Sequence, residues 1–292
     1  MKFTEKKETL PKQTLQITVQ VPWNEVEQAQ EKAVVELQKS FETEGFRKGK
    51  APVAVVKEKM GQQRLLEEGA QQLLMDLYRD LLEKHAIKPY IDPKVDLLKA
   101  PLNGEWEIRF TVALQPKLTK VPDYKKAALK VHGEEKKDAI WVPGKDAKKE
   151  EEKDKHSKTD DRLQKILDLV MKETELEISD LIVDHELNRR LASLHDEIAK
   201  LGMTVDQYLR ARQETQDTLR AKIKKEVVDL YTLEFLLDAI AQEEKIEIGE
   251  KELEAIYAQA KNEKDKEAMK QNAYFYSRLV RKQKTLDYLA SL

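Results

Sequence analysis

The chain has 292 residues, of which 40% are hydrophobic and 37% charged, with 53 Lys and Arg against 55 Asp and Glu. At roughly 100–200 residues per domain, this length predicts about two domains, and the net charge of −2 excludes the strongly basic balance of a general nucleic-acid binder. The absence of cysteine excludes disulfides, thiolate metal sites and cysteine nucleophiles, and a content of nine glycines favours helices over glycine-rich folds.

The first 118 residues predict a compact α+β domain. Apolar and polar residues alternate from Leu15 to Val21, as in a half-buried strand. Asn24 is then a suitable helix N-cap, with Glu27 at capping-box spacing, and Gly61 is expected to break a later helix. The predicted elements are a strand at 15–21, helices at 24–41, 52–60 and 62–82, a Pro-interrupted edge strand at 87–98, and a strand at 106–114. We expect this domain to fold on its own, with its helices layered on one antiparallel sheet.

A basic loop separates the first two predicted helices. Residues 45–52 read Gly-Phe-Arg-Lys-Gly-Lys-Ala-Pro, which places Phe46 beside the cations Arg47, Lys48 and Lys50. Such cations also suit a solvated turn after a helix C-terminus. An exposed Phe close to two glycines is costly for a turn alone, and it favours an anchor that fills a pocket while the cations meet carboxylates or phosphates. We call residues 45–52 the basic tip.

The middle of the chain, residues 119–160, reads as a charged linker or arm segment. Ten of the thirteen residues from Lys148 to Asp160 are charged, which is typical of a solvated linker or a charge-laced helix. One apolar stretch, residues 139–144 around Trp141, interrupts it. This stretch predicts either a turn docked on the body of the protein or a segment inserted into the protein's own binding surface.

From residue 161 to residue 292 the apolar spacing is helical almost throughout, and no strand is predicted after about residue 120. Gly202 is expected to end one helix, and Thr204 to cap the next. These amphipathic helices predict an all-α domain built of hairpins. Its methionine and aromatic side chains suit adaptable apolar contact; they are Met171, Met203, Met269, Tyr208, Tyr231, Tyr257, Tyr274, Phe275 and Tyr276.

No enzyme motif is complete. His185-Glu186 begins like a zinc-protease helix, but Arg189 occupies the place of the second His. Residues 45–51 invite comparison with a phosphate-binding loop, yet the spacing is one residue short and Ala51 replaces the hydroxyl that Mg²⁺ needs. We therefore expect no catalytic residue, no metal site and no cofactor. Because the N-terminus lacks the apolar run of a signal peptide and no segment is long enough to span a membrane, we expect a cytoplasmic protein.

The basic tip resembles the Gly-Phe-Arg-x-Gly-Lys-x-Pro signature of trigger factor, a family of bacterial ribosome-associated chaperones. The predicted strands and helices around the tip follow the family's order, and residues 160–292 resemble the family's C-terminal domain more loosely. The residues that carry the match are Gly45, Phe46, Arg47, Gly49, Lys50 and Pro52, with Lys48 at the variable position.

The resemblance implies an elongated, multi-domain chaperone. Its N-terminal α+β domain (1–118) would bind the large ribosomal subunit near the exit tunnel through the seven tip residues just named. Its all-α C-terminal domain (161–292) would hold unfolded or nascent polypeptides without ATP. The resemblance leaves self-dimerisation open.

The chain departs from the family between these two domains. Members usually carry an FKBP-type prolyl isomerase domain there, whereas residues 132–160 hold two glycines and mostly charge, and are too few for a domain of roughly a hundred residues. We expect the isomerase domain to be absent, and the chain not to be an enzyme. Two alternatives stay open: a basic-tip module that binds RNA or another acidic partner, and a residual peptidyl-prolyl isomerase.

Overall fold

The computed structural model describes residues 1–138, 152–258, 260 and 262–292. Its contacts divide the chain into two compact units. Unit 1 comprises Met1–Gln115 and Ile178–Ile182, and unit 2 comprises Pro116–Glu177 and Val183–Leu292. Among the helices of the described residues, none combines the length and the apolar character that crossing a bilayer requires.

Unit 1 contains an antiparallel sheet and two helices. Its elements are β1 (Thr4–Leu10), β2 (Thr14–Val21), α1 (Trp23–Gln38), α2 (Val53–His85), β3 (Lys94–Lys99) and β4 (Trp106–Ala113). The four strands lie in the order β1-β2-β4-β3, and all pairs are antiparallel. Gly61 interrupts α2 with a φ of 75°, which confirms the predicted helix break.

The core of unit 1 lies between the sheet and the helices. Ile17 of β2 pairs with Phe110 of β4, and Val19 pairs with Ile108; all four side chains are buried. The helices complete the same cluster with Val26 and Ala29 from α1 and Leu73, Leu77 and Leu81 from α2. The predicted α+β architecture, with helices on one face of an antiparallel sheet, is confirmed.

Several details of unit 1 differ from the sequence prediction. Strand β1 was not predicted, and β3 is confined to residues 94–99, after Pro93. The N-cap prediction for Asn24 is wrong: α1 begins at Trp23, Pro22 occupies the N-cap position, and no side chain caps the helix. Residues Ile178–Ile182, far along the chain, also belong to this unit.

Unit 2 is mostly helical. Its elements are β5 (Lys117–Lys120), α3 (Tyr124–Asp138), α4 (Glu152–Glu173), β6 (Glu175–Glu177), α5 (Asp180–Lys200, whose first residues count with unit 1), α6 (Val205–Arg212), α7 (Gln216–Glu243), α8 (Glu250–Tyr257), α9 (Glu263–Gln271) and α10 (Ala273–Ser291). A buried cluster joins α3, α4, α7 and α10; it contains Tyr124, Ala128, Val131, Ile166, Val170, Leu236, Leu237, Ile240 and Leu289.

The caps of unit 2 follow the sequence signals. Thr204 accepts a hydrogen bond from the Gln207 backbone N–H at 3.2 Å, and its own N–H donates to Gln207 Oε1 at 2.9 Å. This capping box confirms Thr204 as the N-cap of α6. The expectation of no strand after residue 120 is wrong at one place, because residues 175–177 pair with β5 in a two-stranded ribbon.

Within residues 119–160, the described parts 119–138 and 152–160 contain more helix than a linker would. Tyr124, Ala128 and Val131 of α3 are buried against α4, and residues 152–160 lie at the start of α4. The sequence predicted the charge of this segment but not the packing of α3 against α4. The apolar stretch around Trp141 lies outside the described residues.

Candidate functional sites

The basic tip is a structured turn of backbone between α1 and α2. The Phe46 N–H donates to the Thr43 carbonyl at 3.2 Å, and these two residues form an isolated antiparallel bridge. Gly45, between them, has a φ of 87°, a conformation that favours glycine. The Lys50 N–H donates to the Arg47 carbonyl at 2.9 Å, which closes a second turn. The tip is therefore defined by its own hydrogen bonds.

Gly49 fixes the return of the tip toward α1. Its φ is 72°, and its N–H donates to the Phe41 carbonyl at 3.0 Å. A Cβ on Gly49 would lie 2.6 Å from the Lys39 carbonyl oxygen, closer than real side chains come. The second glycine of the signature is thus required both by its dihedral angle and by the space available.

A small apolar cluster anchors the base of the tip. Ala51 is buried with Val34 of α1 and Val56 of α2, and Phe41 packs against them. The Gln38 side-chain amide donates to the Ala51 carbonyl at 2.7 Å. Pro52 then precedes the first residue of α2. Because its base is packed, the tip can present side chains without itself being part of the main core.

The side chains of the tip point to solvent. Phe46 is 43% exposed, and Arg47, Lys48 and Lys50 are all exposed. Lys48 Nζ lies 3.1 Å from Glu42 Oε1 in a solvent-exposed ion pair, whereas within the described part of the chain no ion pair involves Arg47 or Lys50. The structure thus brings all seven predicted site residues onto one loop. Glu42 is a neighbour that the sequence analysis did not identify.

An open groove of about 920 Å³ lies within unit 2, between α4, β6 and α7. Its apolar lining consists of Leu167, Met171, Leu176, Val228, Leu230 and Leu233. Leu230 is 46% exposed there, although it occupies a helix interior. Acidic and basic side chains, among them Asp168, Lys172 and Lys225, surround this apolar lining. An apolar lining with a charged rim is typical of a surface that binds other polypeptides.

Arg190 is held at the edge of the groove. Its Nε donates to Glu186 Oε1 at 3.1 Å, and Arg189 makes two further hydrogen bonds of 2.8 Å to the same carboxylate. These bonds, foremost that from Arg189, lower the pKa of Glu186 below its ordinary value even though partial burial acts in the opposite direction. The carboxylate is therefore a permanently charged anchor for Arg190 at neutral pH.

The side chains predicted to make adaptable apolar contacts divide into exposed and buried ones. Tyr274 and Phe275, at the start of α10, are exposed, and Met171 lines the groove. Tyr257 is buried and contacts Tyr276 edge to face. Leu176, which lines the groove, was not singled out in the sequence, and Leu230 was predicted only as part of the apolar side of its helix. The exposed position of Leu230 on α7 could not be read from the helical period alone.

The incomplete enzyme motifs form no site in the described residues. Across residues 1–138, 152–258, 260 and 262–292, no group of three or more His, Asp and Glu side chains is arranged to hold a metal ion. His185 is exposed on α5. The phosphate-loop-like residues 45–51 form the basic tip and do not lead directly from a strand into a helix, as a nucleotide-binding loop does.

Comparison with known proteins assigns the family. The family model for bacterial trigger factor protein matches residues 1–140, and the model for the trigger factor C-terminus matches residues 145–289. Residues 141–144 alone lie between the two matches. The chain belongs to the trigger factor family, in a form that lacks the isomerase region between these two parts.

Trigger factors of two organisms illustrate the relationship. That of Roseiflexus sp. (strain RS-1) is 34% identical over 129 residues, which cover 43% of this chain and 22% of that protein. That of Natranaerobius thermophilus is 31% identical over 111 residues, 38% of this chain and 25% of that protein. The chain thus spans about a quarter of the length of the curated relatives that it matches.

One solved structure shares the fold over nearly the whole chain. It is described as "Promiscuous Substrate Recognition in Folding and Assembly Activities of the Trigger Factor Chaperone". The match has a TM-score of 0.62 and a sequence identity of 17%, and it covers 99% of both chains. At this identity the likeness is one of fold, an α+β first part followed by a mostly helical second part.

Proposed function

We propose that this protein is an ATP-independent molecular chaperone of the cytosol. In this proposal the basic tip docks on the large ribosomal subunit near the exit tunnel, and the helical unit holds unfolded or nascent polypeptides. The observation that supports docking most directly is the exposure of Phe46 on a glycine-hinged loop, beside Arg47 and Lys50, for which the described residues provide no ion pair.

Each part of the tip has a separate task. An exposed aromatic ring supplies apolar contact area at low entropic cost, and it is the kind of side chain that dominates binding energy. Arg47 and Lys50 supply charge for carboxylates or phosphates without first having to break an ion pair. Lys48 would exchange its exposed pair with Glu42 for one with the partner, at little cost because such pairs contribute at most about 1 kcal/mol.

The docking proposal is tested by co-sedimentation with ribosomes. The variant Phe46→Ala/Arg47→Ala/Lys48→Ala should lose about 2 kcal/mol or more of binding free energy, and rising salt should weaken binding by the unaltered protein. A matched control is Leu129→Ala/Lys126→Ala/Lys130→Ala on α3, which also removes one exposed apolar side chain and two exposed cations. The control should bind like the unaltered protein.

Two results would contradict ribosome docking. Equal co-sedimentation of the tip variant and the unaltered protein would show that the tip does not contribute to ribosome binding. Tight binding of protein-free RNA, lost in the same tip variant, would instead favour the alternative of a basic-tip RNA-binding module.

The groove of unit 2 is the proposed client surface. Leu167, Met171 and Leu230 offer apolar contact to side chains that a folded client would bury. Methionine and leucine adapt to differently shaped partners, which suits clients of many sequences. Affinities should be micromolar or weaker, since the ordering of a flexible segment opposes binding. Clients would then leave without a nucleotide-driven step.

We further propose that the chain does not catalyse prolyl isomerisation. The support is the adjacency of the two family matches, which leaves residues 141–144 between them. The test is the cis/trans exchange time of an X-Pro peptide, which is tens to hundreds of seconds without a catalyst. Saturable acceleration by the purified protein would contradict the proposal and favour a residual isomerase.

A further inference from the structure

The two edges of the sheet in unit 1 differ in the side chains that they turn toward the helix-covered face. On β1 these are Glu5, Lys7 and Thr9, which pair with the buried Val19, Ile17 and Leu15. Glu5 Oε1 lies 2.8 Å from Lys84 Nζ and 2.9 Å from His85 Nε2 of α2. Charged side chains that point inward from an edge strand, as Glu5 and Lys7 do, discourage the addition of a further strand.

The edge formed by β3 carries apolar side chains on that same face. Val95 pairs with Phe110 and Leu97 with Ile108, both of which are fully buried. Val95 is nevertheless 37% exposed and Leu97 51% exposed, and Leu98, at an irregularity in the register, is exposed as well. We call Val95, Leu97 and Leu98 the β3 strip.

The geometry of the strip matches an extended chain. β3 is the last strand of its sheet, and within the described residues no strand pairs with its outer edge. Such an edge offers unpaired backbone N–H and C=O groups. Val95 and Leu97 are two residues apart, which is the repeat of side chains along one face of a strand. Added strands use both features, because main-chain hydrogen bonds give affinity and alternate side chains give specificity.

The charges beside the strip favour an uncharged occupant. Lys94 Nζ lies 3.2 Å from Asp96 Oδ1, and Lys99 Nζ lies 3.2 Å from Glu107 Oε2. Each cation of β3 thus has an anionic partner close by, and the two pairs together carry no net charge. A charged partner would gain little from this surface.

The size of the strip favours a short segment over a folded protein. β3 has six residues, from Lys94 to Lys99, whereas stable interfaces between folded proteins use about 20–30 residues on each side. A second copy of the chain would need additional contact area beyond the strip. A short extended segment needs no contact area beyond the strip.

We propose that the β3 strip binds a short, uncharged, extended segment of an unfolded polypeptide as an added strand. This gives unit 1 a client-binding surface of its own, separate from the groove of unit 2. The inference rests on the proposed chaperone function for the choice of an unfolded polypeptide as the occupant.

The test uses the full chain and a defined peptide. The probe is a blocked peptide of about nine residues with alternating Val and Thr, long enough to pair along β3, which carries one photoreactive phenylalanine. Cross-links mapped by mass spectrometry should fall on residues 94–99. A peptide of the same sequence with every backbone amide N-methylated should lose binding, because neither of its edges can then donate hydrogen bonds to β3.

Two variants distinguish peptide binding at the β3 strip from binding elsewhere on the sheet. Leu97→Lys places a charge in the strip and should weaken peptide binding to this site about tenfold. Thr9→Lys places the same charge on the same face of the opposite edge, where Thr9 is already exposed, and should leave binding unchanged. Circular dichroism should show both variants folded, since the two replaced side chains are exposed.

Three outcomes would overturn the inference. Cross-links confined to the groove of unit 2 would exclude the strip while leaving the chaperone proposal intact. A peptide-free dimer in analytical ultracentrifugation that Leu97→Lys converts to a monomer would show that a second copy occupies the strip. A failure of the peptide to bind anywhere, together with no protection of unfolded proteins from aggregation, would contradict both the inference and the proposed function.

Discussion

Thr14 and Ser179 lie 165 residues apart in the sequence, yet Thr14 Oγ1 donates a hydrogen bond of 2.8 Å to Ser179 Oγ in the interior of unit 1. Ser179 is fully buried, and its oxygen also accepts from the Leu181 N–H at 3.3 Å. Beside this pair, Lys12 Nζ lies 2.9 Å from Asp180 Oδ1 at the surface. The segment Ile178–Ile182 is therefore a structural part of the N-terminal unit.

Ser179→Ala should destabilise unit 1 by about 1–2 kcal/mol. The Thr14 hydroxyl loses its shorter hydrogen bond and keeps the 3.3 Å bond to the Lys12 carbonyl, and the Leu181 N–H loses the Ser179 oxygen. The free energy of unfolding can be measured by denaturant titration in a Trp141→Phe background, where Trp23 and Trp106 of unit 1 report. Ser193→Ala, which removes an exposed hydroxyl from α5, is the control and should change stability little. Equal effects of the two variants would show that the Thr14–Ser179 bond contributes nothing.

A fragment of residues 1–118 should fold, but it should be less stable than unit 1 in the full chain. It lacks Ile178 and Ile182, which are buried, as well as Ser179, which accepts a hydrogen bond from Thr14. The measurement is the denaturant midpoint of the fragment, with and without a peptide that spans residues 174–186. The peptide should raise the midpoint; identical midpoints for fragment and full chain would contradict this account.

Gly49→Ala should disturb the basic tip more than Gly45→Ala. Both glycines have a positive φ, which costs an alanine roughly 1–2 kcal/mol. At Gly49 the added Cβ would also meet the Lys39 carbonyl oxygen at 2.6 Å, whereas nothing lies within 4 Å at Gly45. Trypsin, which cuts after Arg47, Lys48 and Lys50, should therefore cleave the Gly49→Ala tip faster. The opposite order would contradict the described tip geometry.

Unit 2 should lose stability in acid through Glu244. Lys125 Nζ lies 2.7 Å from Glu244 Oε1, and Tyr124 Oη donates to the same oxygen. These bonds, foremost that from Lys125, lower the pKa of Glu244 from 4.5 to about 2. Because the folded-state pKa lies below the unfolded value, the stabilisation is present above pH 4.5 and is lost as the pH falls toward 2.

Glu244→Gln should reduce this dependence on pH. The measurement is the helical circular dichroism midpoint in denaturant, compared between neutral pH and the window below pH 4.5. Glu267→Gln, at an exposed position of α9, is the control and should keep the dependence of the unaltered protein. If the denaturant midpoint of Glu244→Gln falls with pH as steeply as that of the control, the contacts of Glu244 with Lys125 and Tyr124 do not stabilise unit 2.

Local signals predicted the local structure well. Thr204 caps α6 and Gly61 breaks α2, as the sequence predicted. Each of these features is decided by a few neighbouring residues. The tip signature could therefore be located from the sequence, although its role on the ribosome stays a prediction.

Features decided by distant residues could not be predicted. β1 carries Glu5 and Lys7 on its core-facing side, so it lacks the apolar alternation that marks a strand. The pairing of β6 with β5 and the burial of Ser179 depend on tertiary neighbours far along the chain. Asn24 failed as a cap because Pro22, two residues earlier, already occupies the N-cap position directly after β2.

The most direct test of the central claim is the light scattering of a chemically unfolded client diluted into the full chain without ATP. The protein should suppress aggregation, and added ATP should change nothing. Leu230→Asp, which places a charge in the groove of unit 2, should weaken suppression, while Leu129→Asp, at a 68% exposed site on α3, should not. Failure to suppress aggregation at molar excess, or a requirement for ATP, would contradict the assignment of this protein as an ATP-independent chaperone.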